Sequence, residues 1–168
     1  MNKNNVFLID GGMGQELLKR GLKAKGTLWS ASALIDKKIK LYQPTNLKEK
    51  SFISILKSYK SDLYIVVAFR MIPETVWSIP KIGTFNLHAS LLPEYRGAAP
   101  INWVLINQES FTGLTTFMID NKIDTGKILL QSKYKIKDGE TYDTLHDNLL
   151  YIGTVSYTHL TLPTKRIV

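Results

Sequence analysis

The run Leu63-Tyr64-Ile65-Val66-Val67-Ala68 decides the fold class, because it is continuously apolar and rich in β-branched residues. Such a run is typical of a strand that is buried on both faces of a parallel sheet. Further strands are predicted downstream at residues 84–88, 115–119 and 127–135, and an upstream strand at 38–42. Because helices are predicted between and around them, the pattern indicates an α/β fold with a mostly parallel sheet.

Helices are predicted at residues 47–60, 73–77 and from 142 to 152. Two of them carry apolar stripes at helical spacing, Phe52, Ile55, Leu56 and Tyr59 in the first and Tyr142, Leu145, Leu149 and Ile152 in the last. Thr45 or Asn46 can cap the first helix, since short polar side chains accept hydrogen bonds from the open amides of a first helical turn.

The composition is that of an ordinary globular protein. The chain has 168 residues, of which 44% are hydrophobic and 21% are charged, enough for one domain with a real core. It has no apolar run of about eighteen residues, so no membrane span is predicted, and a cytoplasmic protein is expected. It has no cysteine, which excludes disulfides and thiolate chemistry.

The net charge of +8 belongs to the first third of the chain. Residues 1–60 hold 12 Lys or Arg and 4 Asp or Glu (12 − 4 = +8), whereas residues 61–168 hold 10 of each. A basic region of this kind can bind a polyanion such as nucleic acid. It can equally be a lysine-rich solvated surface, and the sequence leaves both readings open.

Three polar residues are candidates for chemistry at the end of predicted strands. Asn86 and His88 are two residues apart, so they project from the same face of one strand. Asp124 follows the next strand and can orient the imidazole and favour its charged form. An amide donor, a proton carrier and a carboxylate suit acyl transfer without a covalent enzyme intermediate. By spacing alone, His88 can also be a structural hydrogen-bonder and Asp124 a turn residue.

Two longer blocks of sequence carry a family resemblance. The first is Phe85-Asn86-Leu87-His88-Ala89-Ser90-Leu91-Leu92-Pro93-Glu94-Tyr95-Arg96-Gly97-Ala98-Ala99-Pro100-Ile101, and the second comprises Thr112-Gly113 and Ile119-Asp120-Asn121-Lys122-Ile123-Asp124-Thr125-Gly126. Both resemble the signatures of the 10-formyltetrahydrofolate-dependent formyltransferases. The resemblance implies a partial doubly wound, Rossmann-like sheet, without the family's usual first strands and C-terminal domain.

The resemblance also implies the functional residues. Asn86, His88 and Asp124 are expected to be catalytic, with 10-formyltetrahydrofolate as co-substrate and no metal. The folate pocket is expected to be lined by residues of two segments, namely Val67, Ala68, Phe69, Met71 and Ile72, and Ser90, Leu91, Leu92 and Pro93.

Within the family, Arg96-Gly97-Ala98-Ala99-Pro100-Ile101 and Tyr42-Gln43-Pro44 are most similar to methionyl-tRNA formyltransferases. This likeness implies initiator methionyl-tRNA as partner and a monomer as the working form. Two alternatives stay open, formyl transfer to another amine such as glycinamide ribonucleotide, and a fragment that binds folate without turnover.

The two ends of the chain differ from the family. Residues 5–36, which include Phe7-Leu8-Ile9-Asp10-Gly11-Gly12-Met13-Gly14, resemble the first unit of homocysteine S-methyltransferases, but those enzymes hold zinc with cysteines that are lacking here. We therefore expect a chimera, with a foreign segment at 1–37, an incomplete formyltransferase core at 38–153 and an unrelated tail at 154–168. Residues 6–21 are expected to fill the position beside residues 63–68.

Overall fold

The computed structural model describes residues 8–9, 41–42, 44–67 and 71–161, with side chains described for Tyr42 and for residues 44–67 and 71–153. Near the N-terminus, strand β1 (Leu8–Ile9) pairs in parallel with strand β2 (Leu41–Tyr42). Among the helices described, none is both long enough and apolar enough to cross a membrane.

The main sheet has four strands in the order β3-β4-β5-β6, which are Leu63–Val67, Gly83–His88, Phe111–Met118 and Ile128–Lys135. The predicted α/β class is confirmed, and β3 and β4 pair in parallel as expected. β5 runs antiparallel to β4 and to β6, so the sheet is mixed. Residues 119–127 are too few for the crossover that a parallel β5–β6 pair requires.

Strand β3 is less buried than its composition predicts. Ile65 is 41% exposed and Val67 is 37% exposed, whereas Val66 between them is half-buried. The prediction of burial on both faces is therefore wrong. β3 is the end strand of the four-stranded sheet, and the described helices on the Ile65 face pack over β4, β5 and β6 instead.

One face of the sheet carries helices α1 (Lys50–Ser58) and α2 (Glu74–Trp77), where the first two helices were predicted. Phe52 and Leu56 of the predicted stripe are buried against Val76. The cap differs, because α1 begins after Glu49, while the Asn46 side chain accepts a hydrogen bond from the Lys48 amide in the preceding turn.

The opposite face carries α3 (Pro100–Ile106) and α4 (Tyr142–Thr161). The sequence did not predict α3. The two helices and β5 form a buried core that consists of Ile101, Val104, Leu114, Leu145 and Leu149. The stripe predicted for the last helix is confirmed at Leu145 and Leu149, and its first residue, Tyr142, is 46% exposed.

Two boundaries were predicted for the core. The first, at residues 37–38, lies outside the described residues, and beyond the second, at residues 153–154, the structure describes only the backbone. α4 runs through the proposed boundary at residues 153–154 and ends at Thr161, so the helix does not stop at Gly153 as expected. β1 pairs with β2, and the described main sheet ends at β3, so the expected pairing beside residues 63–68 is not formed among the described strands. Most of the segment 1–37 lies outside the described residues.

Candidate active site

The candidate site lies at the carboxyl end of β4, on the face that carries α1 and α2. Tyr64 packs against the α1–α2 core and lies opposite Thr84, whereas Leu87 packs against the α3–α4 core. Because alternate residues of a strand point to opposite faces, Asn86 and His88 share the α1–α2 side. This is also the side of Thr115, the cross-strand partner of His88.

Asp124 reaches His88 from the loop between β5 and β6. Its Oδ2 lies 3.7 Å from Nδ1 of His88, and the two side chains are only 14% and 8% exposed. The same carboxylate oxygen accepts a hydrogen bond from the Gly97 amide at 2.7 Å. The structure thus brings together the two titratable residues that the sequence singled out.

The other ring nitrogen of His88 fixes where a proton can move. Nε2 lies 2.8 Å from the backbone carbonyl oxygen of Tyr95. A carbonyl oxygen can only accept, so the neutral ring carries its hydrogen on Nε2 and leaves Nδ1 unprotonated. The proton that His88 gains or loses is therefore the one on Nδ1, beside Asp124.

Asn86 has hydrogen-bonding capacity that the described residues do not use. Its Oδ1 is buried and has no hydrogen-bond partner among them. Buried polar atoms are normally paired, and the two ends of an amide exchange by a half-turn of the side chain. Asn86 can therefore offer either an acceptor or an N–H donor to a bound group.

The residues predicted to line a folate pocket divide into two groups. Ser90 and Leu92 are buried, at 0% and 5% exposure, and serve the turn after β4. Val67, Met71 and Pro93 are exposed, Leu91 and Ile72 are half-buried, and Ala68 and Phe69 lie outside the described residues. Only the accessible side chains can contact a ligand directly, and the buried pair can act only by shaping the turn.

A buried network holds that turn against β5 and β6. The Thr115 hydroxyl donates to the Ser90 carbonyl at 2.7 Å and accepts from the Leu92 amide at 3.0 Å. The Gln131 side chain donates to the Leu92 carbonyl at 2.8 Å and to the Thr115 hydroxyl at 3.0 Å. Neither Thr115 nor Gln131 was predicted as a site residue, since a strand threonine or glutamine carries no signal of its own.

The sequence also missed contacts made by residues 95–97. Tyr95 binds His88 through its carbonyl group, Gly97 binds Asp124 through its amide, and the Arg96 Nε donates to the Asp124 carbonyl at 3.0 Å. Backbone contacts of this kind leave no mark in the residue types of the run. A separate surface depression between α1 and α2, which contains Lys57, Lys60 and Ser78, shares no residue with this site.

Comparison with known proteins gives the family. The family described as formyl transferase matches residues 17–159, which is most of the chain. The chain belongs to the formyl transferase family. The matched range includes the candidate site, from β4 to Asp124, and it extends beyond both boundaries that were predicted for the core.

Named relatives and solved structures agree with this assignment. The chain is 55% identical over 134 residues to the methionyl-tRNA formyltransferase of Flavobacterium psychrophilum, which covers 80% of the chain and 42% of the relative. The chain therefore spans less than half the length of that relative. Its fold is similar to that of glycinamide ribonucleotide transformylase 1 from Geobacillus kaustophilus (TM-score 0.67, 21% identity, 90% of this chain and 92% of the other).

A second solved structure is the formyltransferase PseJ from Anoxybacillus kamchatkensis, in complex with a sugar nucleotide and tetrahydrofolate. It has a TM-score of 0.58 and 23% identity, and the match covers 82% of this chain and 72% of the other. At these identities the two structures establish the fold of the chain and no more.

Proposed function

We propose that the chain transfers a formyl group from 10-formyltetrahydrofolate to the amino group of methionine on initiator methionyl-tRNA. The observation that carries the proposal is the contact of the His88 imidazole with the Asp124 carboxylate. On the same strand as His88, the Asn86 side-chain oxygen is buried and has no hydrogen-bond partner among the described residues. The methionyl-tRNA formyltransferase relative supports the acceptor, and the tetrahydrofolate in the PseJ structure supports the donor.

When bound, 10-formyltetrahydrofolate supplies the formyl carbon that the substrate amine attacks. In the overall exchange a carbon–nitrogen bond forms to the amine, the bond to the folate N10 breaks, the amine loses a proton and N10 gains one. The role assigned to Asn86 is to donate its N–H to the formyl oxygen as that oxygen gains negative charge. His88 holds and moves a proton at Nδ1.

Asp124 and Tyr95 complete these roles. The Asp124 carboxylate favours the imidazolium form of His88 during the transfer, and the Tyr95 carbonyl keeps the ring oriented through Nε2. General acid–base groups of this kind typically contribute about 10²- to 10⁴-fold to a rate. In this scheme no metal ion is needed for the chemistry, because the Asn86 amide stabilises the negative charge on the formyl oxygen and His88 carries the proton.

The mixture of apolar and polar side chains proposed for the site suits a folate donor. Among the residues proposed to line the pocket, Val67, Leu91 and Met71 have accessible apolar side chains that suit a flat ring system, although Val67 pairs with Leu87 and so lies on the other face of the sheet from Asn86 and His88. Ligand sites commonly combine an apolar lining with a few convergent polar groups. Ser90 and Leu92 contribute to the pocket by fixing the turn that carries Leu91.

The test compares two histidines. His88→Gln removes the proton carrier of the site, whereas His146→Gln removes a histidine of α4 that lies beside Asp147 with its side chain 45% exposed. We expect His88→Gln to lower formylation of initiator methionyl-tRNA by at least about 100-fold, and His146→Gln to leave it unchanged. Equal activity of the two variants would refute the role of His88.

The choice of acceptor is tested with the same preparation. Methionyl-tRNA and glycinamide ribonucleotide are offered as acceptors, and release of tetrahydrofolate is measured. Turnover with glycinamide ribonucleotide alone would contradict the proposed substrate. Binding of folate without turnover on either acceptor would show that the chain is a binding fragment.

Three further expectations belong with this proposal. The protein is expected to act as a monomer in the cytoplasm. The residues at 5–36 are proposed to derive from a homocysteine S-methyltransferase-like sequence, and the tail at 154–168 from an unrelated one. Contiguous sequencing of the coding DNA across residues 36–40 and 154–156 tests that origin, and an uninterrupted natural gene would contradict it.

A further inference from the structure

Three consecutive residues link His88 to Asp124, one through a contact with His88 and two through contacts with Asp124. The Tyr95 carbonyl accepts the Nε2 hydrogen of His88, the Gly97 amide donates to Oδ2 of Asp124, and the Arg96 Nε donates to the Asp124 carbonyl. We call residues 95–97 the clamp turn. Because His88 lies on a strand and Asp124 in a distant loop, the clamp turn is the element that sets the imidazole and the carboxylate relative to each other.

The backbone of the clamp turn adopts an uncommon conformation. Tyr95 has a φ of 56° and Gly97 a φ of 84°. Glycine adopts such angles without cost, whereas a residue with a bulky side chain does so only when its surroundings hold it there. The conformation of Tyr95, and with it the direction of its carbonyl, therefore depends on contacts made by its side chain.

Those contacts come from the end of α3. The Tyr95 hydroxyl donates to Oε1 of Glu109 at 2.5 Å and accepts from the Asn107 side chain at 3.0 Å. The hydrogen bond to Glu109 raises the pKa of Tyr95, so the phenol stays protonated and keeps donating. The Tyr95 ring also packs against the core formed by α3, α4 and β5.

We propose that the clamp turn is a positioning element, through which the Tyr95 hydroxyl and its partners on the α3 side fix the tautomer of His88 and its distance from Asp124. This inference rests on the proposed function for its catalytic consequence, but its structural consequence is independent of it. A tethered Tyr95 carbonyl keeps the neutral imidazole hydrogen on Nε2. When the tether is cut, the carbonyl moves away and the hydrogen distributes between Nε2 and Nδ1.

The variant Tyr95→Phe cuts the tether and keeps the ring. Its matched control is Tyr134→Phe, because the Tyr134 hydroxyl also donates to a glutamate, Glu140, at 2.9 Å, but outside the site. The ¹⁵N chemical shifts of the His88 ring report its tautomer, measured above the usual imidazole titration range at about pH 8.5. His146→Gln and His159→Gln in every sample leave His88 as the sole histidine, because the chain has three.

We expect the Nε2-protonated form to dominate in the parent and in Tyr134→Phe, and the shifts of Tyr95→Phe to move towards a mixture. We also expect kcat for formyl transfer to fall about two- to tenfold in Tyr95→Phe, the range for one lost hydrogen bond, with the folate KM unchanged. Glu109→Gln weakens the same hydrogen bond without changing Tyr95, and it replaces Tyr95→Phe in the experiment if that variant does not fold. It should shift the tautomer in the same direction.

The outcomes separate the two claims. An unchanged His88 tautomer in Tyr95→Phe, or in Glu109→Gln where that variant is used, would overturn the positioning role whatever the activity. If Tyr95→Phe changes the His88 tautomer but the parent protein is inactive on both acceptors, the proposed function is refuted and the positioning role is supported. A fall in kcat without a tautomer change would assign Tyr95 a merely structural role and overturn the proposal.

Discussion

The Thr115 hydroxyl offers the sharpest test of how the turn after β4 is held. Thr115→Val replaces a fully buried side chain by one of the same shape without a hydroxyl. The change removes the partner of the Leu92 amide and of the Ser90 carbonyl, and one of the two partners of the Gln131 side chain. The structure therefore predicts a loss of stability with little change in packing.

The magnitude follows from the two backbone groups. Each buried group left without a partner costs about 1–3 kcal/mol, and the additional apolar burial of valine returns roughly 0.8 kcal/mol. We expect Thr115→Val to lower the free energy of unfolding by about 1–5 kcal/mol. Urea unfolding at neutral pH measures this, and an unchanged m-value shows that the unfolded state is not altered.

Thr112→Val is the matched control on the same strand. The Thr112 hydroxyl is buried and has no hydrogen-bond partner among the described residues. Burial of an unpaired hydroxyl costs free energy, so its removal should leave stability unchanged or raise it by about 1 kcal/mol. If Thr115→Val cost no more than Thr112→Val, the hydrogen-bond network would not be what holds the turn.

Three further predictions use other parts of the chain. Gly126→Ala should unfold at a markedly lower temperature than the parent and lose formyl transfer, because its Cβ would clash with the Met118 carbonyl oxygen; a thermal midpoint equal to the parent's would show that the loop is looser than described. Arg96→Lys should lower formyl transfer as much as Arg96→Gln, since both lose the Nε donor to Asp124; full activity of the lysine variant would mean that only the charge matters. Glu140→Gln should destabilise the protein by about 0.5–1 kcal/mol at neutral pH, discounted for solvent screening. Burial of Glu140 raises its pKa, but hydrogen bonds from Lys137, Tyr134 and Asn148 outweigh this and lower the pKa below 4.5. The stabilisation is therefore present above that value and lost as the pH falls through the lower folded-state pKa, so urea unfolding of parent and variant should converge in acid; a constant difference at all pH values would contradict the charge-based reasoning.

The fold class and most elements could be predicted because their signals are local. The apolar stripe of α1 and the β-branched run of β3 follow from spacing and composition. α3 was missed because its seven residues span less than two turns, although Pro100 at its first turn and the spacing of Ile101, Val104 and Leu105 were signals for it. Antiparallel pairing at β5 became apparent only from the path of the chain.

The candidate site was predicted only in part, for a physical reason. Asn86, His88 and Asp124 have side chains whose chemistry and family motif identify them. The Tyr95 carbonyl and the Gly97 amide are backbone groups that every residue has, so no residue type announces that they bind His88 and Asp124. Burial of Ser90 and Leu92 likewise depends on β5 and β6, which lie far away in the sequence.

The most direct measurement compares Asp124→Asn with Asp147→Asn in formyl transfer to initiator methionyl-tRNA. Both aspartates lie beside a histidine, Asp124 next to largely buried His88 and Asp147 next to exposed His146. We predict that kcat falls at least about 100-fold in Asp124→Asn and is unchanged in Asp147→Asn, with both variants folded. Full activity of Asp124→Asn would contradict the claim that the paired imidazole and carboxylate carry the chemistry.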